Sequence, residues 1–403
     1  MFLSRDTFAA EAPALSPAPA LRNPREAMAV RLPAALQPFL TWLTAMPAPG
    51  ETRADRPAAH FVAGALALVL GGMALGALPL MLAAPPLAAW LLLPLGWLLT
   101  SSGLGLFQVV IFHHCSHGTV FANRGRNRQV GRMVSAFLLF KRFDDYQREH
   151  MMHHSAKKLL TEEDEFADFV LGLCRLEAGL PKAELWRRVA RITVSPAFHL
   201  HFLRRRIQAS LFTGDRAHDW MGRAFWLGLI ALALATGTLV ELLVLWVLPV
   251  TVLLQIATIY RILCEHRFPD AHFIALRDKL FVCEATTGVF AGRPPPEARA
   301  DTLRGLAQWA GWWLNMLTVQ LFVRLFVLVG DAPCHDFHHR RPATRRWTNY
   351  IHARQQDAEA GSPGFPQGYT DCWGLFEAVD SNLATLAATT PASIGREPGH
   401  TPA

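Results

Sequence analysis

Three clusters of imidazole concentrate the chemistry of this chain. They are His113-His114-Cys115-Ser116-His117, His150-Met151-Met152-His153-His154 and His335-Asp336-Phe337-His338-His339. On a helix, positions i, i+3 and i+4 lie on one face. His150, His153 and His154 have that spacing, as do His335, His338 and His339, while His113 and His117 are i, i+4. Each cluster is therefore expected to aim its rings in one direction. Neutral imidazole suits Fe, Zn, Cu or Ni. One such cluster alone reads equally well as a solvated helix face. Three at matched spacing supply more ligands than a single closed zinc site takes, so two metals sharing a histidine cage is the expected arrangement.

The elements that must position these rings are membrane-grade. Of 403 residues, 51% are hydrophobic and only 18% charged, too apolar for an ordinary soluble domain. A first apolar span is expected at about 61–83, broken by Pro85-Pro86, and a second at about 87–112, long enough to carry His113 and His117 past the lipid. A second hairpin is expected from a short leg at about 220–235, a turn at Thr236-Gly237-Thr238, and a leg at about 239–263 kinked at Pro249. The fold class is thus an all-α membrane protein with about four transmembrane helices in two hairpins and a cytoplasmic helical cap carrying the histidines. Residues 309–329 are apolar but contain Asn315, Gln320 and Arg324, which fits a re-entrant, interfacial or protein-buried helix.

The domain expectations are an Ala/Pro-rich cytoplasmic segment over 1–55, a catalytic domain over 56–380 and a disordered tail over 381–403. Residues 32–46 read as an amphipathic helix that lies on the membrane or packs on the catalytic domain. The formal charge of +7 flanks apolar spans, so it speaks of orientation in a bilayer and not of nucleic acid. The turns near 84–86 and 236–238 are nearly free of charge, whereas 124–223 is crowded with Lys and Arg. The positive-inside bias puts the histidines and both termini in the cytoplasm, with a bacterial inner membrane as the expected location. Six scattered cysteines show no paired spacing and read as reduced thiols.

The HxxxH, HxxHH and HxxHH pattern around membrane hairpins resembles the membrane fatty acid desaturase and hydroxylase superfamily. The resemblance implies a non-haem centre of two iron ions that activates O2 with electrons from an external donor. Family ligands carry over onto His113, His117, His150, His153, His154, His335, His338 and His339, and onto His266 just past the fourth span. His114 stands where many relatives have an acidic residue, so it is expected to support a ligand. Some relatives have an Asn near His266. This chain has Arg261 and Ile262 there, leaving Glu265 or a water to complete one metal site. Glu265-His266-Arg267 also resembles the related carotenoid ketolases. Asp164, Asp270 and Asp336 are expected partners for ligand imidazoles, Asp164 by fixing a tautomer.

The expected activity is desaturation of a lipid-linked acyl chain. A hydroxylase or ketolase acting on a fatty, terpenoid or alkane substrate is the alternative within the superfamily. A membrane metal carrier or sensor is the alternative outside it, but carriers need polar ligands near the bilayer midplane and these spans lack histidine. The electron donor is expected to be a ferredoxin or a small cytochrome. Arg204-Arg205-Arg206 reads either as its docking patch or as an anchor at lipid headgroups.

Overall fold

The computed structural model describes residues 23–394. The described chain is mostly helical; its one sheet pairs Gly288–Phe290 in parallel with Asp371–Trp373. Residues 1–22 of the Ala/Pro-rich segment and the last residues of the tail, 395–403, lie outside the described part.

Three helices are long and apolar enough to cross a membrane: Ala58–Met81, Leu87–Ser116 and Leu239–Glu265. The fourth expected leg is a helix, Arg216–Thr236, closed by Gly237 in the left-handed region at φ 70°. Asp219 and Arg223 in its early turns keep it below the apolar composition of the other three, so by length and composition the spans number three among the described residues.

The first two spans pack as an antiparallel hairpin on glycine. A Cβ built on Gly96 would lie 2.6 Å from the Gly72 carbonyl oxygen, and one on Gly103 would lie 2.6 Å from that of Ala65. Small residues let helix backbones approach where lipid supplies no hydrophobic drive between helices. This close approach sets the end of the second span, and hence His113 and His117, against the start of the first. The third span absorbs Pro249 through two π-helical segments, Leu243–Val247 and Pro249–Leu253, and continues without a break to Glu265.

Residues 303–326 form a helix in three segments, Leu303–Asn315, a π turn Met316–Gln320, and Leu321–Phe326. One face packs on the amino-terminal helix Gln37–Thr44, whose Leu40 and Leu43 are buried against Trp312 and Met316. That contact decides the role of the 32–46 segment in favour of packing on the domain. The packed helical body continues past residue 380, where a disordered tail was expected. Helix Leu375–Ala388 and the turn Pro391–Ile394 bury Leu383, Leu386 and Ile394, and the Asn382 amide donates to the Leu263 carbonyl at 2.8 Å. This helix is ordered because its apolar face covers the exit of the third span.

The basic run is also redistributed. Arg206 is buried and donates to the carbonyls of Leu138, Leu139 and Val250. It thereby satisfies the free carbonyls where helix Arg124–Leu138 ends in left-handed Leu139. Arg205 pairs with Asp168, and Arg204 is exposed. The three arginines therefore do not form one docking patch, and reversing Arg206 would unfold its surroundings.

Wedging the hairpin apart tests its packing. We expect Gly96→Leu to lower the unfolding temperature of the detergent-solubilised protein, overpacking costing about 1–3 kcal/mol. Gly71→Leu, whose Cβ meets nothing within 4 Å, should leave it unchanged. Equal effects in fluorescence-detected melting would refute the close approach.

Candidate metal centre

Nine imidazoles converge in two sets. The first holds His113, His117, His150, His154 and His338; the second holds His153, His266, His335 and His339. Within each set the ligand atoms lie within 4.8 Å of one another. In the first, Nε2 of His150 is 3.0 Å from that of His113, 3.1 Å from that of His117 and 3.0 Å from that of His154. Nε2 of His338 closes the ring at 2.7 Å from His113 and 3.0 Å from His154. In the second, Nε2 of His266 lies 3.1 Å from those of His153 and His335, and His339 lies 3.1 Å from His335.

The helices deliver these rings differently from the single direction expected of each cluster. His150 and His154 enter the first set, while His153 enters the second. His335 and His339 enter the second, while His338 enters the first. At 3.6 residues per turn, i+3 falls on one side of position i and i+4 on the other. One helix, Phe143–His153 with its last turn, thus serves both sets, and so does His335–Arg340. His113 and His117 follow directly on a π-helical segment, Phe107–Phe112, which sets the rotational phase of the end of the second span. His266 leaves the third span in extended conformation and is held by a bridge to Thr286.

The donor chemistry fits metal. His153 Nδ1 lies 2.7 Å from Asp164 Oδ1, and His150 Nδ1 lies 3.1 Å from Glu165 Oε1. A carboxylate at Nδ1 keeps the proton there and leaves the Nε2 lone pair unprotonated. Lone pairs facing one another at about 3 Å repel unless a cation sits between them, and that spacing suits ligands bonded to one ion at about 2 Å. Asp164 is itself fixed by the backbone N–H groups of Leu160 at 2.7 Å and Phe166 at 3.1 Å.

Burial, then neighbouring imidazoles, pushes His150, His154, His335, His338 and His339 well below the ordinary range, and His266 likewise. His117 is pushed down to about 3 by the same causes. His153 differs. Burial lowers it, but the Asp164 carboxylate and its hydrogen bond, with Glu165 and Glu265, outweigh that and hold it above the ordinary value. Burial pushes Glu165 up to about 7 against the pull of Lys141 and His153.

The expected supporting residues separate. His114 stays out of both sets; its Nε2 lies 2.7 Å from Asp331 Oδ2, and its ring stacks on Trp347 and on the ligand-side His113. Glu265 is held by two 2.9 Å hydrogen bonds from Arg261 Nη1 and reaches only 4.0 Å from His335 Nδ1, so it belongs to neither set. Asp336 is fully buried but binds Arg354 at 2.6 Å and its neighbour's N–H, orienting the third cluster's helix without touching an imidazole. Asp270 is exposed at the start of helix Ala271–Leu276, where its carbonyl accepts from Phe273, and the fold does not bring it to the centre. His199 sits between Gln255 and the Thr193 carbonyl, a packing role. Glu165 and Asp331 were missed from the sequence. Both had a signal: Glu165 adjoins Asp164, and Asp331 lies four residues before His335.

Beside the two sets lies a cavity of about 270 Å³, lined by Val109, Phe112, Phe169, Leu173, Phe202 and Leu254 on its apolar walls. His113, His150, His153, His266 and His335 face it. Gln108, Thr258, and the Arg261–Glu265 pair give it polar points.

A family model described as fatty acid desaturase matches residues 88–360, which contain all nine imidazoles. No curated protein and no solved structure matches the chain.

Removing the Asp164 carboxylate should loosen an ion that His153 would hold. Asp164→Asn is expected to weaken metal binding about 10–100-fold in chelator competition, with Asp270→Asn unchanged. An unaltered affinity would remove Asp164 from the site. A second expectation concerns acid. Below about pH 6.5 the unfolded histidines take protons that the depressed native ones refuse, so the unfolded state binds more protons and stability falls with pH, by up to ~1.4 kcal/mol per pH unit for each such ring. His153 and Glu165, both raised, oppose this, but they are two groups against seven depressed rings. Chelator-stripped protein should therefore melt at progressively lower temperature from pH 7.5 to 5; a flat profile would contradict the neutral buried rings.

Proposed function

Because the chain belongs to the fatty acid desaturase family, we propose that it is a membrane di-iron oxidoreductase that uses O2 to introduce a double bond into a lipid-linked acyl chain. The observation that carries this reading is the pair of histidine sets, five and four strong, facing one apolar-walled cavity. Two iron ions, when bound, supply the oxidising power for an unactivated C–H bond that no side chain possesses. His113, His117, His150, His154 and His338 would hold one, and His153, His266, His335 and His339 the other.

The chain's own residues do the rest. Phe112, Phe169, Leu173 and Leu254 enclose the hydrocarbon and exclude water, and fixing which carbon faces the imidazoles fixes where hydrogen is lost. Asp164 and Glu165 keep Nδ1 of His153 and His150 protonated, so Nε2 stays a donor to metal. The Arg261–Glu265 pair is self-compensated and adds a polar point beside the second set without a net charge. An external ferredoxin or small cytochrome delivers the electrons.

Topology follows from charge. Arg53 and Arg56 before the first span, the arginines of 124–132 after the second, and Arg216 and Arg223 at the start of the short leg all lie at the histidine end. The far turns, 82–86 and Gly237-Thr238, carry none. The positive-inside bias then places the centre in the cytoplasm, with Arg216–Thr236 as a shallow fourth crossing in a bacterial inner membrane.

A second reading, hydroxylation or ketolation of a substrate with its own polar groups, draws support from Gln108, Thr258 and the Arg261–Glu265 pair in the cavity wall. Lipid mass spectrometry of a host expressing the chain separates the two. We expect new double bonds in extracted acyl chains, lost in His338→Ala. Oxygenated products in place of alkenes would move the assignment to the second reading, and one exchangeable zinc in place of two irons would end both.

A further inference from the structure

A second cavity, about 310 Å³, lies on the other side of the hairpin and shares no lining residue with the first. Its walls change character along one axis. Arg53, Arg56 and His60, all exposed, stand at the mouth where the first span begins. Phe61, Gly64 and Leu68 then follow on one face of that span at helical spacing, opposite Leu106, Leu325 and Val329. The cavity is thus cationic at the membrane boundary and apolar toward the bilayer interior.

Two buried basic groups, Arg324 and His352, stand on its wall. Arg324, 4% exposed, donates to the Trp42 and Leu328 carbonyls and the Tyr350 hydroxyl, and among the described residues it pairs with no carboxylate. His352, 2% exposed, binds Asn349 through Nδ1, but its Nε2 has no hydrogen-bond partner. Glu51 Oε1 stands 3.5 Å from that nitrogen as an ion-pair partner, while the Thr41 hydroxyl and the Ala48 N–H bind the other oxygen, Oε2. The other nearby carboxylate, Asp55, faces Arg346 and Asn349. Neither acid lines the cavity.

We infer that this cavity binds one anionic phospholipid of the surrounding membrane. Its phosphate sits among Arg53, Arg56, His60 and His352, and one acyl chain lies along Gly64 and Leu68. The bilayer is the source because the mouth opens where the first span enters lipid, and the outer face of that span, with Leu66 and Leu70, is exposed. A cationic rim near an anionic leaflet gains from each arginine. The site depends on the membrane setting of the chain and not on the reaction assigned to the histidines.

Native mass spectrometry of the full chain, released from nanodiscs of phosphatidylcholine with or without phosphatidylglycerol, tests it. One phosphatidylglycerol per chain should survive delipidation where phosphatidylcholine does not. Arg53→Gln with Arg56→Gln should weaken retention by about 30-fold, the combined contribution of two arginines at an anionic surface. Gly64→Leu should also lower retention while leaving metal content intact, because a Cβ there meets nothing within 4 Å and the added side chain fills the apolar arm. Equal retention of the two lipids, or wild-type retention in both variants, would overturn the inference. Displacement by millimolar inorganic phosphate would reduce the site to an anion pocket, and displacement by oleate to a free-acid pocket, and either would overturn it too.

Discussion

Everything in this molecule answers to one repulsion. Nine imidazoles converge in two sets, seven of them buried and His117 and His154 half-buried, with neighbouring Nε2 atoms about 3 Å apart within each set. Such groups desolvate at a cost and repel one another, so the surrounding fold must hold them in place until a cation relieves the strain between them. The carboxylates at Nδ1 of His150 and His153 serve that end, since they deny each ring the tautomer in which it would hydrogen-bond to its neighbour. The glycine-packed hairpin serves it as well, because it fixes the end of the second span against rings that come from more than two hundred residues later.

Much of the centre was legible because metal ligation uses a residue type and a helical spacing that are hard to produce by other means. All three clusters and His266 converge, although they are far apart in sequence. Their division between two sets was not legible. That division depends on the rotational phase of each helix, which the π-helical turn before His113 and the packing of neighbouring elements settle. The supporting carboxylates were read unevenly for a related reason. Asp164 lies in the loop after its own helix and returns to it, a local contact that spacing suggests. Asp331 reaches His114 from the far end of the chain, and Asp270 turns to solvent although it is only four residues from His266.

The spans show the same limit. Apolar runs located the first hairpin and the third span to within a few residues, since a helix in lipid has no alternative pattern. Arg216–Thr236 is a helix of the expected place whose early charges keep its composition ambiguous. The small, polar-looking tail was misread because its apolar positions, Leu383, Leu386 and Ile394, are sparse and acquire meaning only against the exit of the third span. Arg206 was misread as surface for the opposite reason: a basic run looks solvated, yet one member of it closes the end of another helix.

The partition of the clusters has a mechanical consequence. His150 and His154 serve one set and His153 the other from a single rigid turn, and His338 is separated in the same way from His335 and His339. Neither set can shift without moving the other, because the rings that divide them are fixed at about 1.5 Å of rise per residue along shared helices. Two ions held this way would keep a separation set by helix geometry, not by flexible loops. A reaction that needs both metals to face the same carbon demands such a constraint, and a carrier that must release a single ion would be hindered by it. The architecture therefore argues for chemistry at a fixed pair and against transport.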